Sequence, residues 1–149
     1  MNCKQIEHLK MIQDVITRMA SNSFSLKGWA VTLVAAIFAL TWANISRNFL
    51  LIALIPIFAF WALDAYYLNL ERKNRKLYDK VRKMDEAEID FSMNASLPEL
   101  QDQTTCYWSC FWSSTEKKFY LPLLAVVIIP PLVTAFPYIM NALGFVPKA

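Results

Sequence analysis

Glycine is nearly absent: the 149 residues contain two, Gly28 and Gly144. A phosphate-cradling loop needs several glycines for close backbone approach, so none can be built here. Histidine occurs once, as His8. That excludes a multi-histidine metal centre and an H-E-x-x-H hydrolase. Charge is scarce too. Charged residues are 18% of the chain and hydrophobic residues 56%, where globular domains carry about 25% charged residues. A chain this apolar is not disordered over most of its length. The composition, with a mean hydropathy of +0.31, describes a small membrane protein with a modest polar portion.

Three stretches are long and apolar enough to span a hydrocarbon core, which takes about 20 helical residues. Gly28 to Ser46 is 19 residues without a charge, and its body, WAVTLVAAIFALTWA, shows no polar face. Phe49 to Leu63 is 15 charge-free residues, and the run continues past Asp64 to Leu70. Phe119 to Met140 is 22 residues with no charge, but with Pro122, Pro130, Pro131 and Pro137. Pro122 suits a first helical turn, whereas Pro130-Pro131 is expected to kink or break the helix in mid-span. Only Asn44 to Asn48 separate the first two spans, a tight helical hairpin. The first span lies too far from the start, behind an amphipathic pattern, to be a signal peptide.

Basic residues set the orientation. Thirteen Lys and Arg flank the spans at the N-terminus and in the middle segment, against Arg47 and Lys148 on the other side. The positive-inside rule places the N-terminus and the middle segment in the cytoplasm and the C-terminal tail outside. The chain then divides into a cytoplasmic amphipathic helix (1–27), a transmembrane helical hairpin (28–70), a cytoplasmic stalk and linker (71–118), and a third transmembrane segment with a short tail (119–149). The fold class is an all-α integral membrane protein.

In the N-terminal part, Ile6, Leu9, Ile12, Val15, Ile16 and Met19 recur every three or four residues between charges, the pattern of an amphipathic helix over Lys4–Ala20. Ser21-Asn22-Ser23 interrupts it. Beyond the second span, Leu70, Leu77, Val81 and Met84 form a short coiled-coil-like seam. It would receive either the N-terminal helix or a second copy of the chain. The basic run Arg72 to Lys83 is a topology signal resting on anionic headgroups or, less simply, a patch for a nucleotide. The acidic cluster Asp85 to Asp90 has no calcium-loop pattern and is expected to be a solvated turn. Phe91 to Thr105 is polar and predicts a linker. Cys106 and Cys110, four apart, are expected on one helix face. Their neighbours Tyr107, Trp108, Phe111 and Trp112 fit an interfacial aromatic belt.

Asp64 is the one carboxylate with a claim to membrane depth, about 9 Å inside Leu70 on a helical rise. An acid at depth costs about 3 kcal/mol on insertion scales, so it reads as functional by default. In an oligomer it would form a ring of carboxylates around a central axis, which favours cations. The alternative ends the membrane near Leu63 and leaves Asp64 among headgroups beside Tyr66 and Tyr67.

Four strings together resemble a known kind of protein: Glu7 to Leu33, Phe60 to Arg82, Glu88 to Asn94 and Phe111 to Leu124. They are similar to small bacterial inner-membrane effectors of anti-phage defence operons, the Hailong-type systems, and more distantly to SLATT-like two-helix effectors. The resemblance implies a homo-oligomeric ion channel, taken here as a tetramer. It also implies a nucleotidyltransferase partner and a nucleotide or oligonucleotide ligand that gates the pore. Opening would depolarise the membrane. Charge and position nominate Arg72, Lys73, Arg75 and Lys76 as the region such an anion reaches, with Asp64 as the pore candidate. The alternative is a non-conducting inner-membrane anchor for a cytoplasmic partner enzyme. No nucleophile–base pair supports an enzyme, and the residues call for no cofactor or metal.

Overall fold

The structure is a computed structural model that describes residues 3–42, 47–85 and 89–142. The hairpin residues 43–46, the acidic residues 86–88 and the tail 143–149 with Lys148 lie outside the described residues. Among the described residues there is no strand. Four α-helices carry the fold: α1 (Cys3–Trp42), α2 (Leu54–Lys83), α3 (Tyr107–Phe111) and α4 (Ser114–Ala142). Among the described residues three helical stretches are long and apolar enough to cross a membrane, in α1, in α2 with the residues before it, and in α4.

Helix α1 is one continuous 40-residue rod, about 60 Å long at 1.5 Å per residue. The expected interruption at Ser21-Asn22-Ser23 does not occur. No proline or glycine falls between Cys3 and Lys27, and the hydroxyl groups are absorbed rather than left to compete with the backbone. Ser25 donates to the Ser21 carbonyl at 3.0 Å, Thr17 to that of Gln13 at 3.0 Å, and Ser23 to Asp64. Such back-bonding keeps small polar residues inside a helix.

Before α2, Arg47–Ala53 is a seven-residue 3₁₀ helix. Pro56 lies in the first turn of α2 and cannot donate a backbone hydrogen bond, which favours the change of winding just upstream. The tighter helix rises about 2 Å per residue. Arg47–Ala53 therefore covers about 14 Å, and Leu54–Leu63 about 15 Å. Counted from Arg47, the stretch to Leu63 nearly reaches across a core of about 30 Å, whereas the charge-free run from Phe49 alone covers about 25 Å, still longer than in an all-α form.

Below the membrane segments, α1 and α2 run antiparallel and bury one apolar cluster. Leu9, Ile12 and Ile16 of α1 meet Leu77 and Val81 of α2, with Ile89 and Leu100 closing the side. The seam on α2 thus receives the N-terminal half of α1. The segment expected to be a linker is a strap along α2. Glu99 pairs with Lys80 at 3.1 Å, Asp102 with Lys76, the Thr104 carbonyl with Arg72 at 2.8 Å, and the Thr105 carbonyl with Asn69. These contacts follow successive turns of one helix face. The Lys76 ammonium, followed by the Thr104 hydroxyl, holds the Asp102 carboxyl well below the usual carboxylate range. Polar composition hid this strap, because its anchors are charges matched to those of α2 and only a few apolar residues are buried.

Near the membrane, α3 lies against α2. Trp61 stacks between Phe111, at 4.6 Å, and Tyr120, at 5.4 Å. Its indole N–H donates to the Phe111 carbonyl at 3.0 Å, and the Tyr107 hydroxyl donates to that of Ala62 at 3.1 Å. Trp108 and Trp112 remain exposed, as a belt requires, whereas Phe111 packs inward. Helix α4 begins at Ser114, so Pro122 is well inside it rather than in its first turn. Ser113 accepts from the Glu116 N–H at 3.3 Å, and Ser113-x-x-Glu116 has the spacing of a capping box. The helix also runs unbroken past Pro130-Pro131. These prolines leave the Lys118, Val126 and Val127 carbonyls without their usual helical donors.

Ile12 is fully buried in the α1–α2 cluster, while Ile6 on the same helix is 40% exposed. Ile12→Ala should cost about 2–5 kcal/mol, and Ile6→Ala under about 0.5 kcal/mol. Thermal unfolding in detergent micelles checks both; equal losses would remove the cluster as the basis of stalk packing.

Candidate functional site

Helices α1, α2 and α4 each bring one charge to a single point. Lys27 is the last charge of α1 before its apolar half. Glu116 opens α4 just ahead of its apolar run, and Asp64 lies on α2 between Leu63 and the basic stalk. Lys27 Nζ contacts Asp64 Oδ2 directly and reaches Glu116 Oε1 at 3.3 Å. Ser23 Oγ donates to Asp64 Oδ1 and accepts from Lys27 at 3.1 Å. The Tyr120 hydroxyl donates to Asp64 Oδ2 at 3.2 Å. The Lys27 ammonium also sits 5.8 Å from the centre of the Phe119 ring, within cation–π range.

The helical arrangement makes this convergence possible. Ser23 and Lys27 are four apart and share a face of α1, as do Glu116 and Tyr120 on α4. Antiparallel α1 and α2 then bring those faces to Asp64. Asp64 is fully buried and Glu116 is 1% exposed. Two carboxylates thus face one ammonium in a site nearly closed to water. Burying the ions costs several kcal/mol each, which the contacts offset only because they are close and hydrogen-bonded. One acceptor is left over: Glu116 Oε2 is buried with no donor.

Beside this cluster a cleft of about 480 Å³ opens between α1, α2 and α4. Arg72 and Arg75 line it together with Lys27 and Glu116. Of the four basic residues nominated from the sequence, these two reach the cleft. Lys76 is turned to the strap and bound to Asp102. Lys73 is half-buried and does not line the cleft. Arg75 is paired with Glu71 at 2.6 Å, and Arg72 donates to the Thr104 carbonyl and to Cys110 Sγ at 3.6 Å. Asp64 points into the three-helix unit rather than outward from it.

Lys27 and Glu116 were not singled out from the sequence. The usable signal was Asp64 itself, because an acid at a membrane edge requires a partner. The nearest candidates are the charges that flank the other two spans. His8 is fully buried as well, with neither ring nitrogen hydrogen-bonded, and its ring meets Phe91 edge-on at 5.6 Å. Among the described residues no group of three or more His, Cys, Asp or Glu is placed to hold a metal ion. Cys106 precedes α3 and is exposed, while Cys110 is buried. Burial pushes the Cys110 thiol up, against a smaller downward pull from Arg72. Compared with known protein families, curated proteins and solved structures, the chain matches none.

Lys27→Met strands two buried carboxylates and should cost about 3–5 kcal/mol of stability. Adding Asp64→Leu should recover part of that loss, because Glu116 alone then stays buried without its cation, and a thermal double-mutant cycle measures the coupling. Strictly additive losses would show that the two side chains do not act as a pair. The thiols offer a second check. A maleimide should label Cys106 in the folded protein and Cys110 only after unfolding; simultaneous labelling would contradict the packing of α3.

Proposed function

We propose that the chain is a membrane effector that assembles as a closed oligomer and conducts ions under the control of an anionic ligand, a nucleotide or oligonucleotide. On this reading it depolarises the bacterial inner membrane in anti-phage defence, as the resemblance implies. The observation that carries the proposal is the continuity of α1 and α2 through the Lys27–Asp64–Glu116 junction. Each is a single helix from the polar stalk into the apolar span. A displacement of the stalk is therefore transmitted to the spans without a hinge.

The basic face of α2 supplies the control point. Its cations are held by weak, replaceable partners: Lys76 by Asp102, Lys80 by Glu99 and Arg75 by Glu71. A polyanion competes for these cations and shifts the strap relative to α2. The outer faces of the spans are apolar, with Ile55, Phe58, Ile129, Leu132, Val133 and Phe136 at least half exposed. In a bilayer such faces are covered by lipid or by further copies. Closed cyclic symmetry is the ordinary solution for copies of one chain.

A second reading, the non-conducting anchor, is favoured by a shallow groove of about 250 Å³ on the stalk, lined by Ile6, Leu9, Lys10, Gln13 and Tyr78. A partner's apolar side chain fits such a surface.

Planar-bilayer recording of the purified protein separates the two. The channel reading expects current that nucleotides or short oligonucleotides switch, with about a tenfold weaker ligand response in Arg75→Gln, the loss of one charge-assisted contact. Folded protein that stays silent under every ligand, and is monomeric until a partner is added, would replace the channel with the anchor.

A further inference from the structure

The cleft beside the ion cluster is lined by two groups, Glu116 and Arg72, whose charges are only partly met among the described residues. Lys27 is shared between Asp64 and Glu116, so that one ammonium faces two carboxylates, and Arg75 is paired with Glu71. What remains is Glu116 Oε2, buried and without a donor, and the Arg72 guanidinium, which among the described residues has a carbonyl and a thiol but no carboxylate. Both residues line the same space. Its occupant must offer an N–H-bearing cation at one end and an anion at the other.

Position narrows the occupant further. The cleft stands at the level where charges give way to apolar spans on all three helices. Its wall includes Phe24, 80% exposed, and Leu68. One turn beyond Phe24, α1 becomes the apolar span. An amphiphile lying in the interface can place its polar end in the cleft while its chains follow the apolar faces of the helices.

We propose that this cleft binds the headgroup of phosphatidylethanolamine, with the primary ammonium on Glu116 and the phosphate on Arg72. The ammonium then supplies the donor that Glu116 Oε2 lacks and offsets the excess of carboxylates over Lys27, and the phosphate meets the Arg72 guanidinium. A choline headgroup satisfies Arg72 equally well, but its trimethylammonium has no N–H for Glu116 Oε2. A glycerol headgroup satisfies Arg72 but offers Glu116 only neutral hydroxyl donors and brings no cation to offset the carboxylates, so it forgoes the stronger charge-assisted bond. The cleft is therefore selective for the ammonium, and its affinity for phosphate is shared among phospholipids.

Native mass spectrometry of the delipidated full chain, mixed with equimolar lipids of matched acyl chains, reads the preference directly. The expected result is retention of phosphatidylethanolamine over phosphatidylcholine and phosphatidylglycerol by about tenfold, the value of one charge-assisted hydrogen bond. Glu116→Gln should abolish the preference for ethanolamine over choline. Arg72→Gln, at a partly exposed residue that leaves the core intact, should weaken both lipids together. Equal retention of the three lipids by the wild-type chain would overturn the proposal. So would a preference that survives both substitutions, or soluble glycerophosphoethanolamine competing at the same concentration as the lipid. The readout is bound mass, so its failure is distinct from a failure of conduction.

Discussion

The contact between Lys27 and Asp64 constrains the whole molecule. An ammonium and a carboxylate in a nearly dry site tolerate little separation, because losing either partner leaves an uncompensated charge. Close contact fixes the register of α1 against α2. That register, carried along two rigid helices, decides which stalk residues meet below and which apolar residues meet above. Leu9, Ile12 and Ile16 fall opposite Leu77 and Val81, while Ala30 and Val34 fall in the cluster of Ile57 and Trp61. A slip of one residue would rotate both interfaces away from their partners at once. Lipid tails are as apolar as the side chains of the spans, so no hydrophobic force between the spans selects a register. The ion pair does.

Glu116 extends the constraint to α4. Its Oε1 is within 3.3 Å of Lys27, and Tyr120, one turn later, donates to Asp64. The third span is thereby tied to the other two at one end. Farther along it, Val127 is buried, whereas Leu132, Val133 and Phe136 are exposed. The strap is tied by a different logic. Its contacts with α2 are two exposed ion pairs, individually weak, and two hydrogen bonds to its carbonyls, spaced along the helix and closed by Leu100. One half of the protein is locked by a few buried groups, and the other is held by replaceable ones.

Much of this architecture was legible in the residues. Three long apolar runs predict the three spans, and the seam at Leu77 and Val81 predicts an interface on the stalk. The two readings of that seam were docking of the N-terminal helix and self-association, and α1 occupies it. Local polarity misled at Ser21-Asn22-Ser23, because a serine that finds a carbonyl or carboxylate partner no longer competes with the helix. It misled again at Phe91 to Thr105, where charge matching substitutes for apolar pattern. At the site, Asp64 stood out because a lone acid near a membrane is costly. Its partners did not, because Lys27 and Glu116 resemble ordinary flanking charges until the antiparallel pairing brings them together. Arg72, Lys73, Arg75 and Lys76 read as one basic run, yet Arg72 and Arg75 face the cleft while Lys76 turns to the strap and Lys73 lies away from both.

The 3₁₀ segment Arg47–Ala53 also makes its end of the second helical stretch longer than the same residues would be as α-helix. Rewinding its seven residues as α-helix would shorten the span by about 3–4 Å. Natural bilayers differ in hydrocarbon thickness by a few Å. A helix of fixed pitch answers such a difference by tilting, and tilt here would pull on the junction that holds Lys27 to Asp64. A segment that changed pitch would take up the mismatch at the far end of the span instead. The charged junction would then keep its depth while the thickness of the surrounding membrane varies.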